Sequence, residues 1–246
     1  MSSGNKELLK QIRNALTGNT NQEYAVIRSA DKFARNTAVG TTLVDIWTAG
    51  TNLAFLGSAE TMDVSSGSAN DTLLGTGARS VTLQGLDGDW NEISETVDMN
   101  GTSAVTTTQR FLRVNRAFIE DVGTIQTNDD DIDIVATTAA TTQAQIGAGL
   151  GQTLKSQVSI PAGFTALITR FYVNTSRGDD IRFILETREF GKGWRVKRDL
   201  QVFESHISVQ LDTYITVSEK ADIRCRAAVS QGSAVVSYGY DYKLVQ

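Results

Sequence analysis

Ser80-Val81-Thr82-Leu83-Gln84-Gly85-Leu86 and then, beyond Asp87-Gly88-Asp89-Trp90-Asn91-Glu92, Ile93-Ser94-Glu95-Thr96-Val97-Asp98-Met99 decide the fold class. Val81, Leu83 and Gly85 recur at every second position, as do Ile93, Glu95, Val97 and Met99. Period two places alternate side chains on opposite faces of a pleated strand. Asp87-Gly88 reads as a tight turn with Trp90 packed at its base, in preference to a cation-holding loop. Asn100-Gly101 follows, the strongest short hairpin signal, because a type I′ turn needs positive φ at both central residues. The predicted return strand covers residues 104–108. Residues 110–119 come next, with Phe111, Arg113, Asn115 and Ala117 opposing Leu112, Val114, Arg116 and Phe118. An antiparallel meander is expected.

The same period governs the last hundred residues, with strands predicted near 154–160, 166–174, 181–190, 195–203, 205–211, 214–217, 222–229 and 234–245. Many short strands separated by turn signals argue for an all-β, antiparallel β-sandwich or jelly-roll-like body. Ahead of it, Leu8, Leu9, Ile12, Ala15 and Leu16 recur at helical spacing before Gly18, which predicts a short N-terminal α-helix. A helix that short is marginal alone in water, so its stripe packs either on its own domain or on another molecule. Residues 19–42 are polar and read as an extended arm. The organisation is thus a helix-and-arm anchor over 1–41 and a β body over 42–246. Any division of that body into two β units falls near 140–152, where the sequence is rich in Ala, Thr and Gly.

Composition excludes several function classes. The 246 residues are 40% hydrophobic and 21% charged, with one Pro, one Cys and one His, which is neither a collagen, a disordered chain nor a disulfide scaffold. His206 and Cys225, single members of their kinds, cannot build a zinc site by themselves. A net charge of −5 lacks the basic excess of sequence-independent nucleic-acid binding, and no run approaches the ~20 apolar residues that span a bilayer. The N-terminus has no apolar signal region, so synthesis in the cytoplasm without cleavable export is expected.

Individual candidates have structural explanations beside their chemical ones. Asp129-Asp130-Asp131-Ile132-Asp133 lacks the glycine and glutamate spacing of a calcium loop and reads as a solvated acidic loop. Glu186, Glu189 and Glu204 offer carboxylates, but glycosidase chemistry depends on a separation that sequence does not fix. There is no Gly-x-Ser-x-Gly elbow, and His206 sits in an alternating strand pattern. Cys225, between Arg224 and Arg226, reads as a buried thiol. The densest charge feature is Arg188, Lys192, Arg195, Lys197 and Arg198 around a hairpin carrying Trp194, a candidate partner-binding surface or a solvated tip with one anchoring tryptophan. No catalytic residue, metal or cofactor is expected, and the chain is read as a non-enzyme.

A resemblance adds to this. Lys32-Phe33-Ala34-Arg35-Asn36, Asp45-Ile46-Trp47, the run from Gly77-Ala78-Arg79 through Leu86-Asp87, Trp90-Asn91-Glu92-Ile93-Ser94-Glu95-Thr96-Val97, Asn100-Gly101-Thr102, Phe111-Leu112-Arg113-Val114-Asn115-Arg116-Ala117 and Ile160-Pro161-Ala162-Gly163-Phe164 carry it. Over about two thirds of the chain the pattern resembles virion structural proteins of tailed bacteriophages of cyanobacterial and other aquatic hosts. The resemblance implies a particle component located in the virion and transfers no functional residue. On it rests the expected function, a homotrimeric capsid decoration or cement protein whose partners are other virion proteins. Leu8, Leu9, Ile12 and Leu16 are its expected anchor contacts, and the hairpin residues Arg188, Lys192, Trp194, Arg195, Lys197 and Arg198 a second partner surface. The alternatives are a tail, neck or baseplate adaptor or fibre touching the host, and a carbohydrate-binding β-sandwich using Trp194 or the same-face Tyr238, Tyr240 and Tyr242 as a stacking platform.

Overall fold

The computed structural model describes residues 26–176, 180–203 and 206–246. The predicted N-terminal helix, with Leu8, Leu9, Ile12 and Leu16, lies outside these residues. All regular structure among the described residues is β, and every strand pair is antiparallel. In chain order the strands are β1 (Val26–Val39), β2 (Val44–Asp45), β3 (Met62–Ser66), β4 (Ala78–Leu86), β5 (Glu92–Asp98) and β6 (Val105–Thr106). Then come β7 (Arg113–Val122), β8 (Ile132–Ala136), β9 (Thr142–Ile146), β10 (Val158–Ser159) and β11 (Thr165–Thr175). Last are β12 (Ile181–Glu189), β13 (Arg195–Val202), β14 (His206–Val217), β15 (Ala221–Val229) and β16 (Ala234–Val245).

Two hydrophobic cores result. The first is shared by a sheet ordered β1-β16-β11-β14 and a sheet ordered β10-β15-β12-β13, with β2 also pairing β15. Phe171 on β11 stacks on Phe183 of β12 at 5.9 Å between centroids, and Phe183 stacks on Tyr238 of β16 at 4.7 Å, so aromatic rings join the two sheets. The second core, running from Leu56 to Ile146 in sequence, lies among a sheet ordered β6-β3-β8-β9 and a sheet ordered β5-β4-β7.

The second core is an excursion from one strand track of the first. Val44 and Asp45 pair with Ala227 and Arg226 of β15, and the Ile46 amide donates to the Cys225 carbonyl at 3.0 Å. The chain then leaves at Trp47, which bridges Lys155 on the way back. The Ser156 amide donates to the Ile46 carbonyl, and Val158 and Ser159 resume the track opposite Ile223 and Asp222. The Gly-rich stretch 140–152 thus lies just before the returning crossing, while the outgoing crossing at Trp47 carries no compositional signal.

Two expectations are corrected. Residues 26–39, read as part of an extended arm, form β1 on the edge of the first sheet. Its inward positions carry Ala30, Lys32, Ala34 and Asn36, small or polar residues that hide the alternation from a hydrophobicity reading. The Asn100-Gly101 turn does not join two paired strands: β5 pairs β4, whereas β6 pairs β3. Only Gly101 has positive φ, at 61°, so the turn is not type I′. The 66–72 loop captures it, through Gly101 N–H to the Asp71 carbonyl at 2.8 Å and Ser66 N–H to the Gly101 carbonyl at 2.9 Å. Asp87-Gly88-Asp89-Trp90, by contrast, closes a β4–β5 hairpin with Trp90 buried, as read.

Candidate functional site

The densest polar chemistry of the described residues lies on the seam between the two cores. Arg113, at the start of β7, is 3% exposed and Asp222, on β15, is fully buried. The guanidinium grips that carboxylate with two bonds, Nε to Oδ1 at 2.7 Å and Nη2 to Oδ2 at 3.0 Å. Nη1 donates to the carbonyls of Leu56 and Leu112, each at 2.8 Å. Asp222 also accepts from Arg188 Nε at 3.0 Å and from Ser159 Oγ at 2.5 Å. The Arg113 guanidinium carbon lies 5.2 to 5.7 Å from the centroids of Phe55, Trp90 and Phe190, two rings from the inserted unit and one from the β12–β13 turn. A bidentate arginine in an aromatic box is a preorganised and desolvated contact.

The basic hairpin divides at this seam. Arg188 and Trp194 turn inward: Arg188 lies 4.6 Å over Phe55 and 4.5 Å over Trp194, Arg224 lies 3.9 Å over Trp194, and Trp194 meets Phe55 at 5.3 Å. Lys192 and Arg195 are exposed, whereas Lys197 and Arg198 are half-buried along β13. Beside them Val196 and Phe203 are exposed apolar side chains. The six hairpin residues therefore do not form one surface. Two of them join the cores, Lys192 stays in the exposed turn, and Arg195, Lys197 and Arg198 lie on the outer edge strand.

Carboxylates considered for chemistry have structural partners. Glu186 accepts from Arg224 Nε at 2.9 Å and from Arg226 at 2.9 and 3.1 Å. Asp129 accepts from Ser68 Oγ and Asn70 Nδ2, which hold its carboxyl below the usual range. Buried Asp71 accepts from Ser66 Oγ and the amides of Ala78, Asp129 and Asp130, tying loop 66–78 to the acidic loop. Asp87 accepts from the amides of Asp89 and Asn91 within its own turn. Glu189 is exposed at the end of β12, and Glu204 lies outside the described residues. His206 is exposed on β14. Among the described residues no group of three His, Cys, Asp or Glu side chains is arranged to hold a metal.

Cys225 is buried as read, and burial pushes its thiol far above the ordinary value. Tyr238, Tyr240 and Tyr242 are buried in the first core, with Tyr240 Oη donating to the Ser156 carbonyl at 3.0 Å. They pack the sheet and offer no stacking platform. Burial raises all three phenols, Tyr242 to about 12.

Sequence reasoning missed Arg113, Asp222, Lys32 and Lys155. Lys155 is buried at the returning crossing, its Nζ donating to Val114 O at 2.8 Å and Gln143 O at 2.5 Å, and burial drives its pKa well down. Lys32 donates to Asn115 O at 2.6 Å, and burial followed by the neighbouring Arg116 lowers its pKa to about 8. A charged residue at an inward position of an alternating strand is the signal that marks such sites, and in β1 the polar neighbours concealed it.

No family model matches the chain, and no curated protein matches it. Among solved structures it is similar to the STIV MCP, at 9% identity over 87% of this chain and 96% of that one, with a TM-score of 0.19. It is also similar to a structure of infectious bursal disease virus Gx strain, at 10% identity, 95% and 80% coverage and a TM-score of 0.21. The VP2 subviral particle of infectious bursal disease virus gives 9% identity, 95% and 83% coverage and a TM-score of 0.21. At those values the likenesses carry no argument. Among the described residues no helix is long and apolar enough to cross a membrane.

Proposed function

We propose that this chain is a non-enzymatic structural component of a tailed-phage particle, a trimeric capsid decoration protein that binds the assembled shell and stabilises it. The observation that carries the reading is the strand winding. When β2 and β10 are taken as one interrupted strand, the first core has eight strand positions. They are wound as β1-β16-β11-β14 against a sheet in which β2 and β10 share the edge beyond β15-β12-β13. The chain passes from sheet to sheet at almost every connection, a winding that supports the reading as a double-Greek-key jelly roll, a fold used by viral capsid and lectin domains. Fold alone does not give function. The sequence resemblance to tailed-phage virion proteins favours the capsid use over the lectin use, and the burial of the tyrosines and the packing of Trp194 on Phe55 count against the stacking platform on which the carbohydrate-binding alternative rested.

The insert adds a contact surface. Leu74 is 91% exposed, and Leu73, Ile125 and Leu150 are also exposed. Their loops are tied together by Ile125 N–H to Thr76 O, Asp129 N–H to Asp71 Oδ1, and Gly149 N–H to Asn128 O. Exposed apolar side chains carried on a hydrogen-bonded loop set suit a protein partner. Symmetric oligomers repeat such a weak contact several times over. The chain is made in the host cytoplasm and functions in the virion.

The test is made on particles assembled without the chain and then supplied with purified protein. Shells lacking it release DNA at a lower temperature, and the wild-type chain restores the original value. Leu9→Asp with Ile12→Asp, which places charge on the anchor stripe, fails to restore it. Unchanged shell stability together with lost adsorption to the host would overturn the decoration role in favour of a tail or baseplate role.

A further inference from the structure

Two adjoining clefts follow the seam where β1 faces the inserted unit, about 480 and 210 Å³ in volume, and both are lined by Asp31, Lys32 and Arg116. Their combined size lies within the range that small ligands fill. One wall is closed by the ion pair of Arg28 on β1 with Glu92 on β5. The remaining walls offer Gln84, Ser94 and Gln152 as neutral donors and acceptors, with Tyr242 and Phe33 as flanking rings.

Lys32 and Arg116 differ from the paired arginines along the seam. Arg113 and Arg188 share Asp222, and Arg224 and Arg226 share Glu186. Among the described residues Lys32 and Arg116 have no carboxylate in ion-pair contact. Lys32 Nζ is held by the Asn115 carbonyl at 2.6 Å, and Arg116 Nη2 by Gln152 Oε1 at 2.8 Å, with its guanidinium 5.0 Å over Phe118. Lys32 occupies the inward register of β1 with Ala30 and Ala34, so the fold turns an ammonium into the seam beside a second cation, with Asp31 acting on it through space and no carboxylate bonded to it. Stability alone favours an apolar side chain there. Two fixed cations without a bonded carboxylate, in clefts whose carboxylates are Asp31 and the Arg28-paired Glu92 and whose other walls are amides, a hydroxyl and rings, form a binding site for an oxyanion on a polar ligand.

We infer that the clefts between β1 and the inserted unit bind an acidic sugar, its carboxylate or sulfate between Lys32 and Arg116 and its hydroxyls on Gln84, Ser94 and Gln152. A nucleic-acid strand is disfavoured, because two cations on a chain of net charge −5 do not make the phosphate track that strand binding requires. The site does not include Trp194, takes only Tyr242 of the tyrosine stripe as a wall, and does not rest on the virion role.

Isothermal titration of the full chain with tetragalacturonate, a sulfated heparin disaccharide, neutral maltotetraose and a thymidine oligonucleotide tests this. The carboxylated or the sulfated probe binds, which decides between the two anions, and maltotetraose does not. Lys32→Gln and Arg116→Gln each weaken that binding by about tenfold or more, whereas Lys197→Gln on the outer hairpin leaves it unchanged. Melting curves confirm that each variant is folded. The inference is overturned if neither acidic sugar binds at millimolar concentration, if the Lys32 and Arg116 variants bind as the wild type does, or if the oligonucleotide binds more tightly than either sugar.

Discussion

Replacing Asp222 with alanine removes the acceptor that holds the two units together and leaves Arg113 charged at 3% exposure. The guanidinium keeps its Leu56 and Leu112 carbonyls but loses both carboxylate bonds, and Arg188 and Ser159 Oγ each lose a bond as well. Breaking a buried pair from one side costs about 3–5 kcal/mol, because the remaining charge stays desolvated. For a chain of this length each kcal/mol moves the melting temperature by about 2–4 °C, so the expected loss is about 6–20 °C. The assay is differential scanning calorimetry of the wild type, Asp222→Ala and the double variant Arg113→Met with Asp222→Leu. The double variant removes both charges and recovers most of the loss, since apolar replacement of a whole buried pair is often neutral or better. A melting temperature for Asp222→Ala within about 2 °C of the wild type, or a double variant no better than the single one, would refute the reasoning that this pair is the seam's electrostatic lock.

Further outcomes follow from the same geometry. Lys32, with a folded pKa of about 8 against 10.5, binds its proton less tightly in the folded chain than in the unfolded one, so its contribution to stability rises as pH increases from about 8 to 10.5. Lys32→Met is then more stable than the wild type near neutrality by about 2 kcal/mol, namely about 3 from the pKa difference less about 1 for the Asn115 hydrogen bond, and urea titrations at pH 7 and pH 10.5 should show that gap closing. Trp194→Ala, which empties the space between Phe55, Arg188 and Arg224, should cost about 2 kcal/mol in the same titration, while Lys192→Ala and Arg195→Ala stay within about 0.5 kcal/mol. Cys225, buried with its thiol pushed far up, should react with a disulfide reagent only as fast as the folded chain opens; rapid labelling in native buffer would contradict its placement.

Strands flanked by turn residues and built on apolar alternation were legible. The last hundred residues read almost strand for strand, with 206–217 forming one strand where two were expected, bent by a register shift opposite Ile168 and Arg170. β1 was not legible, because Lys32 and Asn36 take inward positions where the pattern looks for apolar groups. The insertion was hidden as well: β2 and β10 have two residues each, too short for periodicity, and their alignment on β15 is a long-range pairing that local sequence does not encode. The basic hairpin was visible as charge density, but its division followed from Phe55 and Asp222, which are distant in sequence from it. Arg113 appeared only as one member of an alternating strand. Its carboxylate partner lies 109 residues away, and that separation is why the seam could not be assembled from spacing alone.

The proposed decoration role on the particle stands or falls with the copy number of this chain per purified particle, measured by quantitative mass spectrometry against the major capsid protein. A number of the same order as the major capsid protein, in whole multiples set by the shell's symmetry, is the predicted result. A number confined to the few copies of a tail, neck or baseplate part would contradict it.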